Sequence, residues 1–427
     1  MTQLKHAEYR PRLVDDLVDD FLSTFGAVQI DGPKYCGKTW TAEAHAGSAI
    51  HLDRGEARRL VEADPQVAIV GEQPRLIDEW QEIPSLRDAV RGTVDETGNR
   101  PGQFLLTGSS TPPQGSYVHS GAGRIARVHM RPMSLSEMGL SDGRVSLGGL
   151  FEGDMGMFEV DTPIEALART VCRGGWPATL DRPDRAARLI CRQYLESVCL
   201  DDAPRLGKSA SLARRALVSL ARNNGTAATR TTLARDMAFG ETSAPSLETV
   251  DSYLDLFRDM YLIEELPGWD APLRSKKHLR TKPKRYFVDP SLAVAALGAD
   301  ERALLGDLQT FGLMFENLCL RDLRVLLDSS SDFEGATLGY YRDDTGLEAD
   351  VIIQMPDRRW AAVEVKLSEN KVDEGVASLL RVRDRAAANG AAQIPPPSFL
   401  AALVGRTSYA RRTREGVFVV PVTSLGT

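Results

Sequence analysis

The sequence lacks the cysteine and histidine spacings of a disulfide scaffold or a zinc site. Its five cysteines are odd in number and show no CxxC spacing, and its six histidines are scattered along the chain. These patterns exclude a disulfide-stapled domain and argue against structural zinc. Cysteines of this kind are typical of proteins in a reducing compartment, so we expect a cytoplasmic location.

Long apolar runs and an excess of basic residues are absent as well. No segment approaches the roughly 18 apolar residues of a membrane span, and the N-terminal residues show no signal segment. The 52 lysines and arginines against 59 acidic residues give a formal net charge of −7. The sequence therefore predicts no membrane anchor and excludes a uniformly basic protein that coats nucleic acid. Any DNA contact has to be a local basic patch.

What is present is the composition of an ordinary globular protein with several domains. The chain has 427 residues, of which 42% are hydrophobic and 26% are charged, enough for roughly two to four domains. Clusters of Gly, Pro and polar residues divide it into residues 1–195, 196–300 and 301–427. A Gly-rich and Met-rich stretch, 139–158, is predicted as a loop or a small inserted element.

The first part favours an α/β fold. Its short apolar runs alternate with helical or charged stretches, which is typical of a parallel sheet buried on both faces. We expect these runs to be the strands of that sheet. They are Gly26–Ile30, Val67–Val70, Arg75–Ile77 and Phe104–Thr107.

The other two parts favour two further folds. In the second part, three predicted helices precede two strands, which is the order of a winged helix-turn-helix. In the third part, an apolar helix precedes alternating strands and one more helix, which indicates another α/β module. The predicted helices are Ala210–Arg222, Thr229–Met237, Ser246–Tyr261 and Leu308–Leu327, and the predicted strands are Leu262–Leu266, Arg285–Val288, Thr337–Arg342, Glu348–Gln354, Trp360–Lys366, Phe399–Val404 and Val417–Val422.

A phosphate-binding loop (P-loop) follows the first predicted strand. The motif G-x-x-x-x-G-K-[ST] is matched by Gly32, Pro33, Lys34, Tyr35, Cys36, Gly37, Lys38 and Thr39, and Trp40 continues the helix that the motif opens. In such a loop the backbone N–H groups and the helix N-terminus surround a phosphate. Lys38 would reach the β- and γ-phosphate oxygens, and the Thr39 hydroxyl would ligate Mg²⁺. The alternative is a plain Gly-rich turn.

Acidic residues end the strand that begins at Arg75. Asp78 would hold Mg²⁺, and Glu79 would polarise the attacking water. The alternative is that the two carboxylates cap the N-terminus of a helix.

Two further candidates lie downstream of these acidic residues. Ser109, or Thr107 beside it, could contact the γ-phosphate as a sensor, but a simple turn at a strand end explains both equally. Arg124 follows the flexible Gly121-Ala122-Gly123, and it is either a finger that acts on a neighbouring subunit or a surface charge.

A basic run lies where the hairpin of the winged helix is predicted. Such residues would contact DNA phosphates in a salt-dependent manner. The alternatives are a solvated loop or one that binds an acidic protein surface. The residues are Arg274, Lys276, Lys277, Arg280, Lys282, Lys284 and Arg285.

The third part carries carboxylates and a lysine in an order that indicates a metal site. Glu316 lies on the apolar helix, Asp350 on one strand, and Glu364 and Lys366 two residues apart on the next, so that these two side chains share a face. The three carboxylates would hold Mg²⁺ or Mn²⁺, and Lys366 would orient the attacking water. This arrangement resembles the PD-(D/E)xK nuclease superfamily. The alternative is an inactive nuclease fold that only binds nucleic acid.

Nearly the whole chain resembles a prokaryotic AAA+-type ATPase family whose members end in a C-terminal domain of unknown function. Its marks are the P-loop, the segments 76–81, 105–110, 121–124 and 131–138, and the later segments 173–177, 194–197, 286–293 and 364–366. The resemblance implies ATP as the nucleotide, an AAA+-like fold and a homo-oligomeric ring. The predicted function is ATP hydrolysis coupled to binding and remodelling or processing of DNA, including branched or damaged DNA. The rival is an ATP-dependent switch that binds a protein partner.

Overall fold

The computed structural model describes residues 4–112, 115, 121–238, 243–269, 282–388 and 394–427. The chain folds into two compact units. The first comprises Met1–Pro132, Asp259–Leu262 and Asp328–Ser331, and the second comprises Met133–Arg258, Ile263–Leu327 and Asp332–Thr427. The main segment of the first unit ends at residue 132, whereas the sequence predicts the end of its first part near residue 195; the division into three parts stays a prediction.

The first unit is built on a five-stranded parallel sheet with the strand order β2-β3-β4-β1-β5. Its strands are short and apolar because helices cover both faces. Ala27, Ile77 and Leu106 of the sheet pack with Trp80 and Val90 in a fully buried core. The elements are α1 Asp15–Thr24, β1 Ala27–Asp31, α2 Lys38–His45, β2 Ser48–His51, α3 Gly55–Ala63, α4 Gln66–Ile69, β3 Arg75–Asp78, α5 Leu86–Glu96, β4 Phe104–Gly108 and β5 Ile125–His129.

The prediction of a strand at Val67–Val70 was wrong. This run forms α4, a single helical turn that begins after Pro65. Proline favours a helix start because its φ is already helical, and the side chain of Asp64 accepts a hydrogen bond from the backbone N–H of Gln66 at 2.9 Å. A short apolar run cannot by itself be assigned to a strand or a helix.

The second unit contains a mixed seven-stranded sheet in the order β10-β11-β12-β13-β15-β14-β7. A long helix, α15, precedes β10 in the chain, and α16 follows β12. The elements are β6 Val145–Ser146, α6 Leu147–Phe151, β7 Phe158–Glu159, α7 Ile164–Arg173, α8 Asp184–Ser197, α9 Ala203–Arg205, α10 Ala210–Arg222, α11 Arg230–Met237, α12 Leu247–Asp259, β8 Ile263–Leu266, β9 Lys284–Phe287, α13 Pro290–Leu297, α14 Glu301–Gly306, α15 Leu308–Asp328, β10 Thr337–Arg342, β11 Glu348–Gln354, β12 Trp360–Ser368, α16 Val372–Ala388, β13 Phe399–Arg406, β14 Tyr409–Arg412, β15 Phe418–Pro421 and β16 Leu425–Gly426.

The stretch 139–158 explains the position of the boundary. It contains β6, which pairs with β16, and it leads into β7, which adds to the edge of the large sheet beside β14. Backbone hydrogen bonds therefore join this stretch to the last strands of the chain, which places it in the second unit.

The three helices α10, α11 and α12 and the antiparallel pair β8–β9 occupy the predicted positions. Their order is that of a winged helix, and the assignment stays a prediction. Residues 270–281, which carry most of the basic run, lie outside the described residues.

A fully buried ion triad joins three distant segments of the second unit. Arg321 of α15 pairs with Asp289 at 2.8 Å and with Asp322 at 2.7 Å. Asp289 also accepts the backbone N–H of Gly175, and Asp322 accepts that of Leu135. The segments around 133–138, 173–177 and 286–293, which the resemblance singled out, therefore meet in one structural network.

All five cysteines are buried free thiols. Among the described helices, none combines the length and apolar composition that a membrane crossing requires.

Candidate functional site

The P-loop is shaped by two glycines. A side chain at Gly32 would come within 2.0 Å of the Met130 carbonyl oxygen, so only glycine fits there. Gly37 has a φ of 106° and starts α2 in a conformation that glycine adopts without strain. Lys38, which is 4% exposed, donates from Nζ to the Pro33 carbonyl oxygen at 2.8 Å. The Lys38 side chain thus contacts the backbone at the start of its own loop.

The remaining P-loop residues differ in exposure. Cys36 is buried, and its carbonyl oxygen accepts a hydrogen bond from Arg12 Nη1 at 2.8 Å. Lys34 is half-buried and Tyr35 is exposed. Trp40 stacks on the His6 ring with a centroid separation of 4.2 Å. The segment before β1 therefore braces the loop, a contribution of Arg12 and His6 that the sequence did not indicate.

Asp78 ends β3 and is the centre of a hydrogen-bond network. Thr39 Oγ1 donates to Asp78 Oδ1 at 2.9 Å, and Thr107 Oγ1 donates to the same oxygen. His51 Nδ1 lies 2.9 Å from Asp78 Oδ2. Although burial opposes ionisation, hydrogen bonds from His51, Thr107 and Thr39 hold the pKa of Asp78 below its usual value. Asp78 is therefore an ionised carboxylate in contact with the P-loop threonine.

Glu79 is held beside Asp78 by strand β4 and the residues after it. Its φ of 57° is left-handed, and its backbone N–H donates to Thr107 Oγ1 at 3.2 Å. Ser109 Oγ donates to Glu79 Oε2 at 2.7 Å, and Gln81 Nε2 donates to the same oxygen. Thr107 and Ser109 therefore contact the acidic pair, whereas the sequence suggested γ-phosphate sensors.

His51 was missed by the sequence analysis. It ends β2, and the parallel register places it opposite Asp78. Its other ring nitrogen lies 3.3 Å from Glu43 of α2, and Asp78, through its hydrogen bond, raises the pKa of His51. A strand ending in histidine next to β3 was the available signal, but β2 itself was not predicted.

Arg124 lies beside the start of β1, at the opposite end of the strands from the P-loop. Its carbonyl oxygen accepts the Ala27 N–H at the start of β1, whereas the P-loop follows the end of β1, about 15 Å away. The exposed guanidinium pairs with Asp95 at 2.7 Å. The geometry therefore does not bring Arg124 to the nucleotide site of its own subunit.

The P-loop residues fit a magnesium nucleotide. The Thr39 hydroxyl and the Asp78 carboxylate offer two hard oxygen ligands 2.9 Å apart, which is the chemistry that Mg²⁺ prefers. Buried Lys38 and the backbone of the loop supply positive charge and N–H donors for phosphates.

Carboxylates of the second unit lie close to one another in the structure. β11 and β12 pair antiparallel with Val351 opposite Val363, which sets Asp350 beside Glu364. Lys366 Nζ donates to Glu364 Oε2 at 2.5 Å. Burial and the Asp350 carboxylate raise the pKa of Glu364 to about 8 and that of Glu316 to about 7.

A further lysine occupies the centre of this acidic cluster. Lys284 Nζ lies 2.6 Å from Glu348, 3.3 Å from Glu316 and 3.7 Å from Asp350. Within the described ranges, no three His, Cys, Asp or Glu side chains are arranged so that they could share a metal ion. The predicted metal site at Glu316, Asp350 and Glu364 therefore does not fit the side chains as folded, because an ammonium group stands among them.

The basic residues that the structure describes divide into two kinds. Lys282 is exposed. Lys284 is buried in the acidic cluster, and Arg285 pairs with Glu265 at 3.0 Å and donates to the Ala228 carbonyl oxygen. The prediction that Lys284 contacts DNA phosphates was wrong, because its charge is already paired inside the protein. Arg274, Lys276, Lys277 and Arg280 lie outside the described residues.

Three family models match successive segments of the chain. Residues 24–139 match the family model of the AAA domain. This segment is similar to AAA domains. Residues 164–303 match a domain of unknown function, DUF8612, and residues 311–425 match another, DUF4143. The three matches follow one another along the chain in the order of the three predicted parts.

Two uncharacterized proteins, from Mycobacterium tuberculosis and Mycobacterium bovis, are each 26% identical over 363 residues, covering 83% of this chain and 73% of theirs. Among solved structures, the Walker-type ATPase of Pyrococcus abyssi has a TM-score of 0.43 at 12% identity, covering 69% of this chain and 98% of its own. RuvB of Thermotoga maritima has a TM-score of 0.28 at 14% identity, covering 64% and 98%. TM-scores this low give no basis for assigning the function of either protein to this chain.

Proposed function

We propose that this protein binds ATP and hydrolyses it to ADP and phosphate at the P-loop of its AAA domain. The observation that supports this most directly is the contact of Asp78 with Thr39, with Glu79 fixed beside it. A P-loop threonine, an ionised strand-end carboxylate and a second positioned carboxylate are the groups that phosphoryl transfer to water requires.

Each residue of the site has a definite task in this proposal. The loop backbone and Lys38 would bind the β- and γ-phosphates and offset the charge that develops there. Glu79 would accept a hydrogen bond from the attacking water and orient it, while Ser109 and Gln81 keep that carboxylate in place. Thr39 and Asp78 would hold Mg²⁺, which supplies charge neutralisation at the phosphate oxygens.

We further propose that ATP hydrolysis is coupled to work on DNA, including branched or damaged DNA. The support is the density of basic residues between 274 and 285 in an acidic chain. Lys282, the first residue of this run that the structure describes, is exposed. Phosphate contacts of this kind release counterions, so DNA binding should weaken steeply with salt.

Assembly into a homo-oligomer accompanies this proposal. Arg124 is exposed and too far from its own P-loop to contact its own nucleotide, so its use as a finger requires a neighbouring subunit. The ring and the cytoplasmic location both stay predictions.

The test compares wild type, Lys38→Ala and a Lys276→Glu/Lys277→Glu variant, with exposed Lys371→Glu as the matched control. Phosphate release is measured with and without linear, single-stranded and four-way DNA at two salt concentrations. ATPase activity that Lys38→Ala abolishes supports hydrolysis, and stimulation by DNA that the double variant alone loses supports the DNA role. Equal phosphate release by wild type and Lys38→Ala would refute the first proposal.

A second candidate function has its own support. Lys284 inside the acidic cluster favours a nuclease-like fold without catalysis, and the protein would then be an ATP-dependent switch for a protein partner. This candidate would be favoured if the protein hydrolyses ATP, binds none of the DNA substrates, and shows no stimulation of its ATPase activity by them.

A further inference from the structure

The acidic cluster of the second unit is defined by Glu316, Glu348, Asp350 and Glu364. Its residues come from α15, β11 and β12, and Lys284 enters it from β9. The Lys284 side chain is 7% exposed, whereas the carboxylates around it range from 6% to 31% exposed. The lysine is thus the more enclosed member of its pairs with Glu316 and Glu348, and it reaches the cluster from a separate strand.

The ammonium group of Lys284 is well matched to this position. An ammonium has three N–H donors, and three carboxylates lie within 3.7 Å of its nitrogen. The Tyr286 hydroxyl, on the same face of β9, donates to Glu316 at 2.5 Å. Strand β9 therefore supplies both a cation and a hydroxyl donor to the cluster.

The same geometry works against a divalent ion. Mg²⁺ requires oxygen ligands at about 2.1 Å in near-octahedral geometry, and the space that Glu316 and Asp350 share contains the lysine nitrogen. A dication there would lie within a few ångströms of a buried ammonium, and like charges repel strongly in a poorly solvated site. Lys366 neutralises the remaining carboxylate, because its Nζ is bonded to Glu364.

We infer that Lys284 is the resident cation of this cluster, that it excludes a divalent ion from Glu316 and Asp350, and that it fastens strand β9 to the neighbouring helix and sheet. This role does not depend on ATP hydrolysis. It also gives the end of the basic run a structural function in place of a DNA contact.

The test measures Mn²⁺ binding to the full-length protein without nucleotide, from the loss of the free-ion electron paramagnetic resonance signal. The parent protein in this experiment is the Asp78→Asn variant, whose P-loop contributes no metal binding. Every other variant is made in this parent. A Lys284→Met/Glu348→Gln variant removes one charge of each sign and leaves Glu316, Asp350 and Glu364 intact. We expect it to bind Mn²⁺ at least about tenfold more tightly than the parent. Lys284→Arg retains a cation and should behave like the parent, as should Lys282→Met, which removes a lysine outside the cluster.

Two outcomes would overturn the inference. One is Mn²⁺ binding by the parent that Asp350→Asn abolishes, because the ion would then enter the cluster with Lys284 in place. The other is a folded double variant, checked by circular dichroism, whose Mn²⁺ affinity equals that of the parent. If the double variant does not fold, comparison of the parent with its Asp350→Asn derivative still shows whether Mn²⁺ enters the acidic cluster while Lys284 is in place.

Discussion

The two units each gather acidic side chains at a sheet, but they stabilise them differently. In the AAA domain, Asp78 receives hydrogen bonds from Thr39, Thr107 and His51. In the second unit, Glu316, Glu348 and Asp350 surround an ammonium group. A hydroxyl can join a carboxylate as a metal ligand, whereas an ammonium takes the position of the metal. Similar acidic residues therefore serve two different purposes.

The largest expected effect is on the ATPase rate, which should depend on the acidic site at the P-loop and not on the acidic cluster of the second unit. Asp78→Asn should lower the ATPase rate at least about 100-fold, because the proposed site loses the charge that holds Mg²⁺. Glu348→Gln should leave the rate within about twofold, since Glu348 lies in the cluster of the second unit. Steady-state phosphate release measures both. A comparable loss in the two variants would show that the two sites are not functionally separate.

The next effect separates the sites by stability. Lys284→Met should destabilise the second unit by about 3–5 kcal/mol, because it leaves buried carboxylates without their cation. Thr39→Val removes only a hydrogen bond and should cost about 1 kcal/mol. Denaturant unfolding, followed by probes in each unit, measures the difference. Lys371→Met, at an exposed pair with Glu374, serves as the control. If Lys284→Met unfolds no earlier than that control, Lys284 is not the structural cation of the cluster.

A smaller effect examines how the AAA domain positions its second carboxylate. Ser109→Ala should reduce kcat about tenfold, since Glu79 loses one of its two side-chain hydrogen bonds. The KM for ATP should change little, because Ser109 contacts Glu79 and not the P-loop. Ser141→Ala, in the second unit, is the matched control. A rise in KM with unchanged kcat would instead favour the sensor role.

The smallest effect uses pH to examine the AAA domain alone. His45 Nδ1 lies 2.7 Å from Asp19, and Nε2 lies 3.4 Å from Asp15. Burial opposes the charged ring, but Asp15 and Asp19 raise the pKa of His45 above 6.5. Its stabilisation is therefore fully present below pH 6.5 and is lost as the pH rises through the higher folded-state pKa.

His45→Gln should consequently lower the melting temperature at pH 6 and approach wild type in alkaline solution. The expected difference between His45→Gln and wild type in the free energy of unfolding at pH 6 is no more than about 1 kcal/mol. His6→Gln, with a more exposed side chain, provides the comparison. A difference that grows with rising pH would contradict the assigned pairing.

Much of the fold could be predicted from local patterns. Strands β1, β3, β4, β8 to β13 and β15 and helices α10, α11, α12 and α15 lie within a few residues of their predictions, because their apolar periodicity is strong. Helices α13 and α14 were not predicted. β2 and β5 were not predicted, and α4 was mistaken for a strand. The stretch 139–158 was not recognised as part of the sheet, because β7 has only two residues and depends on pairing with β14.

The candidate site divides in the same way. The P-loop and the acidic pair Asp78-Glu79 are contiguous motifs at strand ends, so their spacing alone located them. His51 and Lys284 act through side chains that reach residues distant in the chain. The sequence did not pair either residue with its partners, because the pairing depends on the register of β2 beside β3 and on the packing of β9 near α15 and β11.

The sequence by itself determined the phosphate-binding loop and the order of the carboxylates Glu316, Asp350 and Glu364. Local chemistry suffices there, because a Gly-rich loop followed by a helix N-terminus offers its backbone N–H groups to a phosphate. Only the tertiary structure decided which cation meets those carboxylates. The net charge of −7 gave no sign that Lys284, taken from a basic run, lies buried among acids. Burial makes that choice, since an enclosed carboxylate must find its counter-charge among the groups that packing brings beside it.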